Sequence, residues 1–233
     1  MKRAFTQPTD RAIAFTGLEK RLAKAFHSDV HYGIMGKFLH RNLLWLRTAD
    51  TTLTKTHPST HDSRTERTPS WSWMAYEGSV EFMSIRFENV AWSNVLRFRN
   101  TKELGCHVRE IKDCSIMREG DEYVLVNTQG NNGSSEASNN AQSSCIEDLD
   151  LYESRTPRSW LRFDTDTSDV ESLKCVVIGR EFGYYSNEYQ QDCYILVVKP
   201  SNHSSGMFER VGAGSVESKF ISFGEPDIRA IVI

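Results

Sequence analysis

The sequence has no apolar run approaching the roughly 18 residues that a membrane helix requires. Its opening, MKRAFTQPTD, holds no apolar core of signal-peptide length. The expectation is therefore an intracellular, cytoplasmic chain without a membrane partner. Cysteine is sparse and unpaired in pattern: Cys106, Cys114, Cys145, Cys175 and Cys193 are scattered, odd in number and contain no Cys-x-x-Cys. They read as free, mostly buried thiols in a reducing compartment, not as a disulfide framework or a zinc site. Without a secretion signal, the triplets Asn132-Gly133-Ser134 and Asn202-His203-Ser204 read as accidental glycosylation matches.

Catalytic signatures are equally scarce. There is no Gly-x-Ser-x-Gly elbow, and no cysteine carries the local signature of a nucleophile. Gly212-Ala213-Gly214 lacks the third glycine and the lysine of a phosphate loop, so it is expected to be a turn between strands. The acidic pairs Asp164/Asp166 and Glu147/Asp148 sit in polar stretches, where desolvation would not raise their pKa. His27 and His31 have the spacing of two ligands on one helix face, but Asp29-Val30 reads as a break between helices and no third ligand lies nearby. His57 and His61 share that spacing in a Pro58-containing loop and read as solvent-exposed. No catalytic residue, metal or cofactor is expected.

What the chain does have is an ordinary globular composition. Its 233 residues, 39% hydrophobic and 25% charged, suffice to bury a core without staples. A net charge of -3 lacks the basic excess of a nucleic-acid binder, so nucleic acid is not an expected partner. The balance is uneven, however. Residues 1–70 carry 12 Lys or Arg against 6 Asp or Glu, whereas residues 71–233 carry 16 against 25. A solvated basic helical face is the simplest reading of the first part.

Periodicity suggests the organisation. Residues 9–27 repeat apolar positions at three- and four-residue steps behind a Thr9 or Asp10 cap, which predicts a helix. Gly17 within it predicts close packing or a kink. A second helix is predicted over 31–47, where Met35, Phe38, Leu39, Leu43, Leu44, Trp45 and Leu46 form a wide apolar face. The polar stretch 48–68 reads as a surface loop. From Pro69 the period becomes two, and strands are predicted at 80–87, 104–117 (broken near Lys112-Asp113), 122–127, 159–164, 173–180, 192–199, 206–211 and 228–233. Residues 127–146, almost without apolar side chains, read as a disordered insertion.

Nothing between these strands is long enough for parallel crossover helices. The fold class is thus α+β: N-terminal helices (1–47) packed on a mostly antiparallel β-sandwich or distorted barrel (69–233), with central strands covered on both faces. Trp71 and Trp73, alternating with Ser70 and Ser72, are expected on one face of a buried strand after Pro69. The remaining aromatics, including Trp92, Trp160 and Tyr194, read as core area.

Four ordered segments carry a resemblance. Pro69-Ser70-Trp71-Ser72-Trp73 with Glu77-Gly78-Ser79-Val80 is similar to the Pro-Ser-Trp-Ser-Trp-Ala segment that follows the signalling domain of fungal heterokaryon-incompatibility (HET-domain) proteins. Pro8-Thr9-Asp10-Arg11 through Gly17-Leu18 resembles that family's Thr-Asp helix. Tyr32-Gly33-Ile34-Met35-Gly36 through Leu43-Leu44-Trp45 resembles its Tyr-Leu-Ala-Gly-Leu-Trp…Leu-Leu-Trp stretch. Cys193-Tyr194-Ile195-Leu196 with Phe208-Glu209-Arg210-Val211-Gly212 resembles its closing Cys-Tyr-x-Leu…Tyr-Glu-Arg-Val-Gly pattern. Met35-Gly36 departs from the family's Leu-Trp, and Met74 stands where Ala is usual.

The resemblance implies a role in fungal non-self recognition and programmed cell death, with other HET-domain or incompatibility proteins as partners. It also implies a truncated product or short paralogue, since the family's HET domain precedes the Thr-Asp helix. The expected function is a non-enzymatic interaction or regulatory module whose family-motif residues are structural: Asp10, Gly17, Trp45, Pro69, Trp71, Trp73, Cys193, Tyr194, Glu209, Arg210 and Gly212. The alternative is a ligand-binding or hydrolytic β-domain built on the Phe182-Gly183-Tyr184-Tyr185 loop with Asp192 or Glu188.

Overall fold

A computed structural model describes residues 10–49, 51–56, 67–128, 159–166, 173–182, 191–202, 205–224 and 228–233. Helix α1 (Asp10–Phe26) is followed by strands β1 (Val30–His31) and β2 (Ile34–Met35), helix α2 (Leu39–Leu43), and strands β3 (Trp45–Arg47) and β4 (Thr54–Lys55). Next come β5 (Tyr76–Glu77), β6 (Val80–Phe82), β7 (Val90–Trp92), β8 (Arg97–Phe98), β9 (Leu104–Glu110), β10 (Cys114–Glu119) and β11 (Glu122–Asn127). The last elements are β12 (Trp160–Phe163), β13 (Lys174–Glu181), β14 (Asp192–Pro200), β15 (Met207–Glu217) and β16 (Ile228–Val232).

Ten strands join in one sheet, in the order β10-β11-β12-β15-β14-β13-β9-β16, with β7 on β13 and β8 on β9. β15 also pairs with β16, through Met207 opposite Ile231 and Phe208 opposite Val232. That pairing completes a circuit of five strands, β15-β14-β13-β9-β16, so the sheet closes on itself as a small barrel and β12, β11 and β10 extend it as a flap. Every strand pairing among the described residues is antiparallel except β15–β16. Closure removes free edges from the five-strand circuit, and β10 ends the flap as a strand paired on one side among the described residues.

Alternation along these strands separates two cores. Val176, Ile178, Tyr194, Leu196, Val198, Leu104, Cys106, Val108 and Ala230 share one cluster with Ile34, Leu39, Leu43, Leu44, Leu46 and Trp71. Cys175, Cys193, Ile195, Val197 and Val216 face the other way, against Leu125, Leu161, Phe163, Phe220 and Ile221. β13 and β14 are therefore covered on both faces, which is why their sequences run apolar without strict alternation.

The N-terminal region departs from expectation. α1 forms within one residue of the expected ends, yet a Cβ at Gly17 would meet nothing within 4 Å and the helix runs on through it, so Gly17 does not mark close packing. The second helix, predicted over 31–47, shrinks to the five residues of α2. Tyr32 (φ 47°) and Gly33 (φ 78°) take the left-handed values of a two-residue hairpin turn, which joins β1 to β2. The broad apolar face misled because Leu43, Leu44, Trp45 and Leu46 are buried from several directions and need no helical stripe. α2 enters the barrel core through Leu39 and Leu43, whereas α1 leaves Leu18 and Phe26 exposed.

Three further expectations are corrected. Trp71 and Trp73 do not share a strand face: Ser72 caps a 3-10 turn over Trp73–Ala75, its Oγ accepting from the Met74 N–H. Trp71 is fully buried and Trp73 only half-buried. Gly212-Ala213-Gly214 is no turn but the middle of β15, paired with β12. A Cβ would stand 2.6 Å from the Arg162 carbonyl oxygen at position 212 and 2.1 Å from that of Trp160 at 214, so both glycines allow close backbone approach. The strand foreseen over 80–87 stops at Phe82, and β7 and β8 follow it. The break foreseen near Lys112-Asp113 is present, with Asp113 at φ 56°. Most of the expected 127–146 insertion, and the Pro58 histidines, lie outside the described residues.

Candidate functional site

Arg210 sits in β15 on the same strand face as Phe208, and that parity turns its side chain inward. The residue is 1% exposed, and each of its three guanidinium nitrogens has a partner. Nε donates to Asp164 Oδ2 at 3.0 Å and Nη2 to Asp164 Oδ1 at 3.1 Å, a bidentate pair, while Nη1 donates to the Leu43 carbonyl and Nη2 to the Trp45 carbonyl, both at 2.5 Å. Its central carbon lies 3.4 Å from the centre of the Trp45 ring. Trp45 in turn donates from Nε1 to the Trp71 carbonyl at 3.0 Å, and Trp71 Nε1 donates to the Lys102 carbonyl at 3.0 Å. The Arg210 amide donates to Ser70 Oγ at 2.9 Å, and that hydroxyl donates to the carbonyl of Ile233.

Asp164 contradicts the expectation of a solvated carboxylate, being 1% exposed. Burial raises its pKa, and the charge and hydrogen bonds of Arg210 oppose that rise. Tyr76, packed on Trp45 at 5.5 Å, has its hydroxyl pushed upward by burial and then by Asp164. Asp166, by contrast, is exposed and faces Arg118 at 3.6 Å. A charge removed from water is tolerable only when its partners are fixed, and this pair is held from four elements.

Several of the residues singled out in the sequence form one continuous chain of contacts around this node. From α1, Glu19 accepts the Gly33 N–H at 2.7 Å and Phe15 meets Trp73 edge-on at 5.6 Å. A Cβ on Gly33 would lie 2.8 Å from the Trp73 ring, so glycine there serves both the turn and this contact. Ser72 Oγ donates to the Tyr32 carbonyl at 2.7 Å, and the Tyr32 and Trp71 rings stand 6.2 Å apart. Leu43, Trp45 and Ser70 then meet Arg210. Pro69 is buried beside Ser70 and its carbonyl accepts from the Ser72 amide at 3.0 Å.

Other named residues stand apart from the node. Glu209 faces away, accepting from Lys55 Nζ and Ser201 Oγ, each at 2.9 Å. Cys193 and Tyr194 fall on opposite faces of β14, and the Tyr194 hydroxyl donates to Glu181 Oε2 at 2.7 Å. Asp10 opens α1. His27 follows the last residue of α1 and His31 lies in β1 against Phe98 at 4.8 Å, so they share no helix face. Tyr184, Tyr185, Glu188, Glu147 and Asp148 lie outside the described residues. Asp192 is half-buried, and its carboxyl is raised by desolvation and then by Glu181 and Glu217.

Sequence reasoning found Arg210 but missed its partner Asp164. The available signal was strand parity, which places Arg210 with Phe208 on the inward face and so demands a buried counter-charge. Chemically the node holds backbone segments together; it is closed to substrate. Compared with family models, curated proteins and solved structures, the chain matches none of them. Fold and node define a small closed barrel cross-tied by a buried arginine.

Proposed function

We propose that this chain is a non-enzymatic interaction or regulatory module of the heterokaryon-incompatibility type, acting in fungal non-self recognition. The reading rests on one observation. Four segments that resemble the HET-domain family touch one another in a series from Phe15 through Trp73, Gly33 and its neighbour Tyr32, Trp71 and Trp45 to Arg210. Such a pattern is what a shared architecture would leave: residues that hold the segments together stay recognisable, and the surface is free to vary with the partner. The thiols of Cys106 and Cys193, pushed by burial to about 12, are suited to packing and poorly suited to nucleophilic attack.

The test is co-purification of the tagged chain with co-expressed fungal HET-domain proteins. Retention of such a protein, abolished when the chain is thermally unfolded, is the expected result. If none is retained by a chain with an intact cooperative melt, the reading fails.

A further inference from the structure

Outside the barrel, on the face turned away from the core, β8, β9 and β16 present basic side chains in register. Arg97 stands opposite Gly105, Gly105 opposite Ile231, and Arg229 opposite His107. A Cβ on Gly105 would lie 3.1 Å from Arg99 Cγ, so the stem of Arg99 lies across the glycine. Together these residues line an open groove of about 400 Å³. A second hollow of about 480 Å³ adjoins it through the shared Asn94, Val95 and His107, and adds Arg109 and Arg180. Both of those guanidiniums stack on Phe223, at 4.6 and 3.9 Å.

Among the described residues, no aspartate or glutamate lines either hollow. This is a local reversal, because residues 71–233 carry 25 acidic against 16 basic side chains. Arg97, Arg99 and Arg229 are exposed and make no ion pair among the described residues. Exposed Arg118, by contrast, has a carboxylate beside it, Asp166 at 3.6 Å. Arg97, Arg99 and Arg229, gathered with no counter-charge among the described residues, repel one another, and a multiply charged anion relieves that repulsion while accepting their forked hydrogen bonds.

We propose that this groove binds a phosphate-bearing small molecule, with its phosphates on Arg97, Arg99 and Arg229. The volumes fit a small ligand. The adjoining hollow offers Trp92 and the exposed ring of Phe182 to a planar group carried by the same molecule. A low net charge for the whole chain does not bear on this, since the field that a ligand meets is that of the groove.

Isothermal titration with pyrophosphate, ATP and adenosine at low salt tests the proposal. Wild-type protein is expected to bind pyrophosphate and ATP, more weakly as salt rises, and not adenosine. The doubly substituted Arg97→Ala/Arg229→Ala protein is expected to lose affinity by about tenfold or more, the scale of charged hydrogen bonds. Arg118→Ala, in β10 and outside the groove, serves as the control and should bind as wild type. ATP binding tighter than pyrophosphate assigns the Trp92 hollow to the base; equal affinity assigns recognition to phosphate alone, and both support the site. Silence toward both anions overturns it, as does undiminished binding by the double variant with an unchanged melting curve. Should that variant fold poorly, the single Arg99→Ala protein reads the same loss.

Discussion

The Arg210 guanidinium carbon lies 3.4 Å from the centre of the Trp45 ring while Nη2 donates to that residue's carbonyl, so one arginine fixes both the side chain and the backbone of Trp45. Trp45 is fully buried. Trp45→Ala is expected to cost about 3–5 kcal/mol in urea unfolding. Trp45→Phe keeps a ring over the guanidinium but leaves the Trp71 carbonyl without its donor, and should cost less, on the order of 1–3 kcal/mol. Equal losses for the two variants would show that the ring itself contributes nothing.

The glycines make opposite predictions according to their surroundings. Gly17→Ala, in the exposed interior of α1 with nothing within 4 Å of the new Cβ, should stabilise the fold by about 0.5–1 kcal/mol. Gly214→Ala places a methyl 2.1 Å from the Trp160 carbonyl oxygen and must push β12 from β15, with a loss of several kcal/mol. Thermal melts of the two proteins should therefore move in opposite directions.

These cases also mark how far the sequence could be read. Period-two alternation located β9 and β12 nearly to their ends, because the burial of one strand face is written directly into residue order; β13 and β14 were legible as apolar runs, whereas β15, expected over 206–211, runs on through Gly212 and Gly214 to Glu217. The segment 31–47 was illegible for the converse reason: where both sides of a chain are buried, as at Leu43, Leu44, Trp45 and Leu46, periodicity vanishes and the positive-φ turn at Tyr32-Gly33 decides the geometry. The node was half legible. Arg210 and Trp45 stood out as family-like residues, but Asp164 lies 46 positions from Arg210 and only the β12–β15 ladder brings them together. The basic groove was hidden by composition, since a net charge averages over faces that the fold separates.

Asp192 gives a pH signature. Burial, then Glu181 and Glu217, raise its carboxyl in the folded state, so over the window from its unfolded value of about 3.9 up to the raised value the native chain holds the proton more tightly. Stability from this residue is therefore greatest in acid and falls as pH rises through that window. Asp192→Asn should melt above wild type at neutral pH, with the gap closing in acid. A gap that stays constant with pH would contradict this account of Asp192.

Thiol reactivity should follow burial. Cys106 and Cys193 are raised to about 12 and Cys175 further, all by desolvation first, whereas half-buried Cys114 is raised to about 11. Peptide-resolved alkylation of the native protein should label Cys114 before the other three, and denaturation should abolish the difference. Faster labelling of Cys193 than of Cys114 would place β14 nearer the surface than its burial allows.

The most direct test is a double-mutant cycle on Arg210 and Asp164, read by denaturant unfolding. Each of Arg210→Met and Asp164→Leu strands a buried charge or leaves Leu43 and Trp45 carbonyls unmet, and should cost about 3–5 kcal/mol. The double variant removes both charges and should cost clearly less than the sum, by a coupling of about 1–3 kcal/mol. Additive losses, or single variants within about 0.5 kcal/mol of wild type, would show that the family-like segments are not held together at Arg210.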